Sequence, residues 1–376
     1  MTKEILLFSH DPGGANTIIP LINPLIEKGY NVRLFGKGVA LNKYNGANLP
    51  GLHIMEFVNN IEIRDIENFL KKENPDFIIT GTSANDFTER YIWKSAESLG
   101  LPCFAIFDQW INYGIRFSEY TPSEIGEYNR KKEHPYLPGK ILLMDKYAEE
   151  EAKRDGLDPS RLLVTGQPYF EYLLKKSKAI SHDKIKNIRE NLGIGESDFL
   201  ITYASEPVIK DYNSLDYWGY TEKSILANIV KAIKRFPCES IKKIKLLIKL
   251  HPREDIDNYY DILSGNSGIS VMINKDFDSH DLIMASDMIC GMSSVFLIEA
   301  VILNKPVISI LIGLKRENPF VLDRRGLVKS ILDENTLLNE LNLVIEKSKK
   351  FNYNFEIIED SINNIIFEME KYLWES

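Results

Sequence analysis

The chain is poor in cysteine, with three in 376 residues, and Cys103, Cys238 and Cys290 form no CxxC pair. That excludes a disulfide-framed fold and a zinc site built on paired thiolates. Cys103 and Cys290 sit in apolar strand-like runs and read as small core residues of a reducing compartment. No apolar run reaches the length that spans a bilayer. The N-terminus carries no secretory leader pattern, because Glu4 precedes a short apolar run and His10-Asp11 ends it. A cytoplasmic protein is the default expectation, with peripheral contact at the inner face of a membrane left open. Cationic excess is also missing. The net charge is −8, which argues against a general nucleic-acid binder, since phosphate backbones call for clustered Lys and Arg.

What is present is ordinary globular material, 44% hydrophobic and 27% charged, in a length that suits two domains. Short apolar runs alternate with amphipathic segments. Strands are predicted at 4–8, 31–35, 76–80, 102–107, 140–144 and 161–165, with helices near 14–28, 62–73, 85–99 and 145–156 between most of them. The rhythm restarts after 185, with strands at 199–204, 244–250, 269–273, 287–290 and 306–312. Helices are expected near 182–191, 221–235, 255–263, 293–303 and 333–349. Near-continuous apolar strands separated by helices mean parallel sheets covered on both faces. The expected fold is α/β, with two doubly wound Rossmann-like domains facing a central cleft. Residues 1–176 form the first domain, 182–350 the second, and 355–376 a helix packing on either. Leu173–Ser181, polar and basic, is the linker candidate. Doubly wound domains bind ligands outside the carboxyl ends of their strands.

Five strand ends carry chemistry. Lys249-Leu250-His251-Pro252-Arg253-Glu254 places an imidazole and a guanidinium after an apolar run, suited to a diphosphate. Gly291-Met292-Ser293-Ser294 opens an apolar helix. Its free N–H groups attract phosphate, with Ser293 or Ser294 as N-cap. Glu299 lies inside that helix, and a buried carboxylate needs a partner such as a ribose diol or a buried cation. Ser9-His10-Asp11-Pro12-Gly13-Gly14-Ala15-Asn16 is a Gly-rich turn without GxGxxG spacing. There His10 and Asp11 suit a general base and its orienter, and paired glycines admit a ligand or a neighbouring backbone. Phe107-Asp108-Gln109-Trp110-Ile111-Asn112 mixes amides and aromatics suited to a polyol acceptor, with Asp108 as a second candidate base. Tyr203 and Ser205 end the first strand of the second half and reach a base or phosphate in this reading.

Together these residues resemble the two-Rossmann-domain glycosyltransferases of GT-B type. Leu250-His251-Pro252-Arg253 is similar to the HisPro motif of bacterial sialyltransferases and of CDP-glycerol glycerophosphotransferases. Ser286-Asp287 through Ser293-Ser294, Glu299 and Lys305-Pro306-Val307-Ile308 resembles the nucleotide-binding segment of those transferases. Nucleotide-sugar 2-epimerases share related patterns. The resemblance implies that His251 contacts donor phosphate, that Ser293 and Ser294 hold its oxygens, and that Glu299 binds ribose. Gly13, Gly14, Asn16, Gln109, Trp110 and Asn112 would face the acceptor. The function it implies is metal-independent transfer of a sugar from a nucleotide-sugar donor to a carbohydrate or glycolipid acceptor, in envelope or capsule polysaccharide synthesis. A nucleotide-sugar 2-epimerase, a polyol-phosphate transferase of CDP-glycerol type and a non-catalytic nucleotide-binding partner are the alternatives.

Overall fold

The computed structural model describes residues 2–212, 214–235, 243–251, 253–260, 262, 270–274, 277–346 and 351–374. Cys238, Pro252 and residue 269 of the expected 269–273 strand lie outside the described residues. The chain forms two compact units, one of Met1–Tyr172 with Ile357–Ser376, the other of Leu173–Glu356.

The first unit is built on seven strands: β1 (Glu4–Ser9), β2 (Asn31–Gly36), β3 (Leu52–His53), β4 (Phe77–Thr80), β5 (Cys103–Ile106), β6 (Lys140–Leu143) and β7 (Leu162–Val164). They pair in parallel in the order β3-β2-β1-β4-β5-β6-β7. All four residues of β4 and all four of β5 are buried, as a strand covered on both faces requires. The helix Pro12–Glu27 starts on a proline, whose missing N–H costs nothing in the first turn. It lays Ile18, Leu21, Ile22 and Leu25 on Ile5 and Leu7 of β1. Ile362, Ile365, Ile366 and Met369 of the last helix, Ser361–Trp374, complete the same core. Glu171 fixes the start of that helix by accepting from Ser361 Oγ at 2.8 Å and Ile362 N–H at 3.0 Å.

The second unit has five parallel strands: β8 (Asp198–Ala204), β9 (Lys243–Lys249), β10 (Ser270–Asn274), β11 (Met288–Gly291) and β12 (Val307–Ser309), ordered β10-β9-β8-β11-β12. Its core joins Ile201 and Tyr203 of β8 to Leu246 and Ile248 of β9 and to Ile225 and Ile229 of the helix Glu222–Lys234. In both sheets the strand order reverses beside the first strand, between β1 and β4 and between β8 and β11. Those are the crevices where such sheets take ligands. Among the described residues no helix is long and apolar enough to cross a membrane.

Several expectations change. The linker candidate Leu173–Ser181 is mostly helix: Pro168–Ala179 is continuous, with Pro168 in its first turn and Leu173 buried. The helix expected at 255–263 is, where described, a 3₁₀ turn at Ile256–Tyr259 and residues beyond it. The strand expected at 306–312 shortens to Val307–Ser309. β3 and the helix Val39–Gly46 went unforeseen; two residues are too few to show a period.

Candidate functional site

At the carboxyl edge of the first sheet, β1 delivers His10 and Asp11. The His10 Nδ1 lies 2.7 Å from Asp11 Oδ1, and its Nε2 lies 3.7 Å from Asp86 Oδ2. Lys37, which follows β2, donates to Asp86 at 2.6 Å. Burial pulls the His10 imidazole down, but the bond to Asp11 and the charges of Asp86, Glu89 and Asp11 outweigh it, so its pKa is raised. Asp108 follows β5 and reaches the same edge, where a Cβ on Gly13 would run into its carboxylate. Arg116 donates to Asp108 at 2.6 Å and to Thr82 Oγ1 at 2.7 Å. Both charges of this pair are buried. Burial pushes the Asp108 carboxyl up, and Arg116 pulls against it.

The expected acceptor residues divide. Gly13, Asn16, Gln109 and Asn112 are half-buried. Asn112 adopts a left-handed backbone at φ 57°. Gly14 and Trp110 correct the sequence reading. Gly14 is buried against Gly81, and a Cβ on Gly81 would stand 2.6 Å from the Gly14 Cα. Of the two options for the paired glycines, Gly14 admits a neighbouring backbone. Trp110 is 2% exposed, stacks on Phe170 at 5.5 Å and donates to Asp145 at 3.1 Å. Its faces belong to the core, because an indole is too large and apolar to be left in water here.

At the carboxyl edge of the second sheet, three adjacent strand ends converge: Ser205-Glu206 after β8, His251 after β9 and Ser293-Ser294 after β11. Glu254 closes the His251 turn by accepting from the His251 N–H at 3.0 Å. The Arg253 N–H donates to His251 Nδ1 at 3.2 Å. A main-chain N–H only donates, so Nδ1 accepts, and the neutral ring carries its proton on Nε2. Burial first, then the nearby Arg253, holds the imidazole down to about 4. His251 is therefore a neutral Nε2–H donor at pH 7. Arg253 forms a two-armed pair with Asp211, one arm at 2.8 Å, and is exposed.

Four donor-side expectations are corrected or refined. Tyr203 is fully buried and donates to the Glu222 carbonyl at 2.8 Å, so it faces the core. Ser205 is 5% exposed and bonds Glu254 at 2.9 Å and Tyr259 at 2.6 Å, which makes it a brace for the His251 turn. Ser293 gives its N–H at 2.6 Å and its hydroxyl at 3.0 Å to Glu206. An internal carboxyl group thus sits where a phosphate was expected; burial pushes its pKa up, and the N–H donors of Ser293, Ser294 and Met292 pull against that. Ser294 is the N-cap by position, yet it makes no side-chain cap bond and its buried hydroxyl has no hydrogen-bond partner. Glu299 is buried in that helix, as the pattern implied.

Sequence reasoning missed Glu89, Glu206 and Arg116. For Glu206, a carboxylate lying across a neighbouring strand end has no local signal. Asp278, His280 and Asp281 bring ligand atoms within 4.8 Å of one another. Lys176 and Lys184 pair with their carboxylates at 3.1 and 3.2 Å, as solvated helix-start charges do.

Two doubly wound parallel sheets with polar and charged residues at their carboxyl edges define a GT-B-like fold. The match to solved structures agrees. UDP-GlcNAc 2-epimerase from Methanocaldococcus jannaschii is similar at 17% identity and TM-score 0.69, over 98% of this chain and 99% of that one. The Neisseria meningitidis UDP-GlcNAc 2-epimerase bound to UDP-GlcNAc is similar at 15% identity and TM-score 0.66, over 98% and 100%. UDP-N-acetylglucosamine 2-epimerase from Rickettsia bellii is similar at 16% and 0.63, over 100% and 97%. At these identities the likeness carries the fold alone. Nothing among curated proteins matches. Residues 152–364 match the family described as CDP-Glycerol:Poly(glycerophosphate) glycerophosphotransferase, and the chain belongs to that family. It is a transferase family, and its reaction is the polyol-phosphate alternative rather than the sugar transfer favoured by the sequence reading.

Proposed function

We propose that this protein transfers a polyol phosphate from a CDP-glycerol-type donor to a hydroxyl acceptor in polymer synthesis at the cell envelope. The second unit takes the donor, and the first unit activates the acceptor. In this reading the acceptor oxygen attacks the phosphorus that carries glycerol. A new P–O bond forms, the phosphoanhydride bond breaks, CMP departs with the electron pair, and the acceptor proton passes to the His10–Asp11 pair. His251 Nε2–H, Arg253 and, once Glu206 gives way, the N–H groups at the start of Val295–Ile302 would stabilise charge on the departing phosphate. Glu299 would bind ribose. Asp108 is a weaker candidate base, since Arg116 already holds it.

The single observation that carries the reading is the neutral, Nε2-protonated His251 at the same sheet edge as the Ser293-Ser294 helix start. The reading requires no metal, so chelation with EDTA leaves the rate unchanged; loss of turnover restored by a divalent cation overturns that part. The test of the whole is CMP release from CDP-glycerol in the presence of membranes or a glycerophosphate oligomer. We expect release by the wild-type chain and a fall of at least 10²-fold in His251→Ala, about the size of losing one charge-stabilising donor. No CMP release, with UDP-GlcNAc converted to its 2-epimer instead, would replace this function with that of the epimerases.

A further inference from the structure

We propose that Glu89 is the positioning residue of the first unit's edge: fully buried, it holds the His10 main chain with one oxygen and sets the charge around the His10 ring with the other. The catalytic half of this proposal rests on the function above; the electrostatic half does not. Glu89 lies in the first turn of the helix Thr88–Leu99 and has no exposed surface. Its Oε1 accepts the His10 N–H at 3.0 Å. Its Oε2 is buried and has no hydrogen-bond partner.

A carboxylate pays heavily for such a place unless a cation pairs with it. The nearby cations make their hydrogen bonds to groups other than Glu89. Lys37 is on Asp86 at 2.6 Å. Arg90, on the same helix, donates through Nε and Nη2 to the Arg116, Ala84 and Ile115 carbonyls; its buried Nη1 has no hydrogen-bond partner, and it meets Glu89 through charge alone. Arg116 is on Asp108. Asp11, Asp86 and the Tyr44 hydroxyl are further charged or titratable neighbours among the described residues. Burial, then the charges of Asp11 and Asp86, push the Glu89 carboxyl up to about 8. Near neutral pH it therefore carries a proton. With Oε1 occupied as an acceptor, that proton belongs on Oε2, beside a histidine whose two nitrogens face Asp11 and Asp86.

The consequence is a coupled pair. Loss of the Glu89 proton adds a negative charge next to His10 and raises its affinity for a proton. Protonation of His10 in turn eases ionisation of Glu89. A fold constraint alone would produce the hydrogen bond but not this coupling.

The test is the NMR titration of His10 in the wild-type chain, assigned by the signal missing in His10→Gln. We expect a two-step curve with its upper step near the Glu89 midpoint. In Glu89→Gln, which keeps an acceptor oxygen for the His10 N–H but has no charge, the curve becomes a single step with a lower midpoint. In turnover of CDP-glycerol the acid limb of the pH profile moves down with it, because a base with a lower pKa is free at lower pH, while KM for the donor is unchanged. A single-step wild-type curve, or an unchanged midpoint in Glu89→Gln, overturns the proposal, and neither needs substrate. If Glu89→Gln does not fold, the wild-type curve alone decides. A coupled titration in a chain that never turns over CDP-glycerol leaves Glu89's electrostatic role standing and removes the function.

Discussion

At the residue scale, the first unit's edge is held by buried charges with defined partners. Arg116 is the clearest. Its guanidinium joins Asp108 to Thr82 at one nitrogen and lies over the Phe107 ring at 4.6 Å. Removing it leaves Asp108 buried and uncompensated, so Arg116→Ala should cost about 3–5 kcal/mol in urea unfolding. A change below about 1 kcal/mol would mean the pair is solvated in solution. Glu89 makes the opposite pH prediction to an ordinary salt-bridged carboxylate. Its folded pKa, about 8, lies above its ordinary value of 4.5. Between those values the unfolded chain releases the proton while the folded chain keeps it, so this group's contribution falls as pH rises from 4.5 to 8. Glu89→Gln should therefore raise the melting temperature relative to wild type at pH 8 and by much less at pH 5. His251 acts on the other side. Its folded pKa is held near 4, below its ordinary value of 6.5. The unfolded chain takes the proton first, so stability is lost as pH falls from 6.5 toward 4, and His251→Gln should flatten that part of the melting profile.

At the element scale, the carboxyl strand ends were legible because each ends an apolar run in polar, Gly-rich or Pro-containing sequence. Glu4–Phe8 and Ile244–Leu250 needed only their apolar runs to be placed. The bracing was not legible. Ser205 reads as a polar strand end, and nothing local says that its hydroxyl turns to Glu254 and Tyr259. Trp110 reads as a sugar platform because an exposed and a buried indole have the same sequence; only the stacking on Phe170 separates them. Leu173–Ala179 reads as linker because its basic residues mask a helix that opens on Pro168. The close approach of two backbones at Gly14 and Gly81 tests the packing of the first helix. Gly81→Ala puts a Cβ 2.6 Å from the Gly14 Cα, and the obstacle is backbone. We expect a loss of about 1–3 kcal/mol in thermal unfolding, typical of overpacking. An unchanged melting temperature would show that the helix Pro12–Glu27 moves freely at its start.

At the scale of the whole molecule, each unit repeats one plan: a parallel sheet, a reversal of strand order, and polar and charged residues at the carboxyl ends near that reversal. The family match spans residues 152–364, so it includes the whole second sheet. The first edge stands outside it, which is why His10, Asp11 and Glu89 had to be argued from charge and burial. The account depends on phosphate being held at the second unit's edge. The most direct measurement is a crystal structure of the chain with CDP-glycerol. The account predicts the diphosphate at the ends of β8, β9 and β11, with an oxygen about 3 Å from His251 Nε2. A nucleotide bound at the amino ends of those strands, or a diphosphate that leaves His251 untouched, would contradict it.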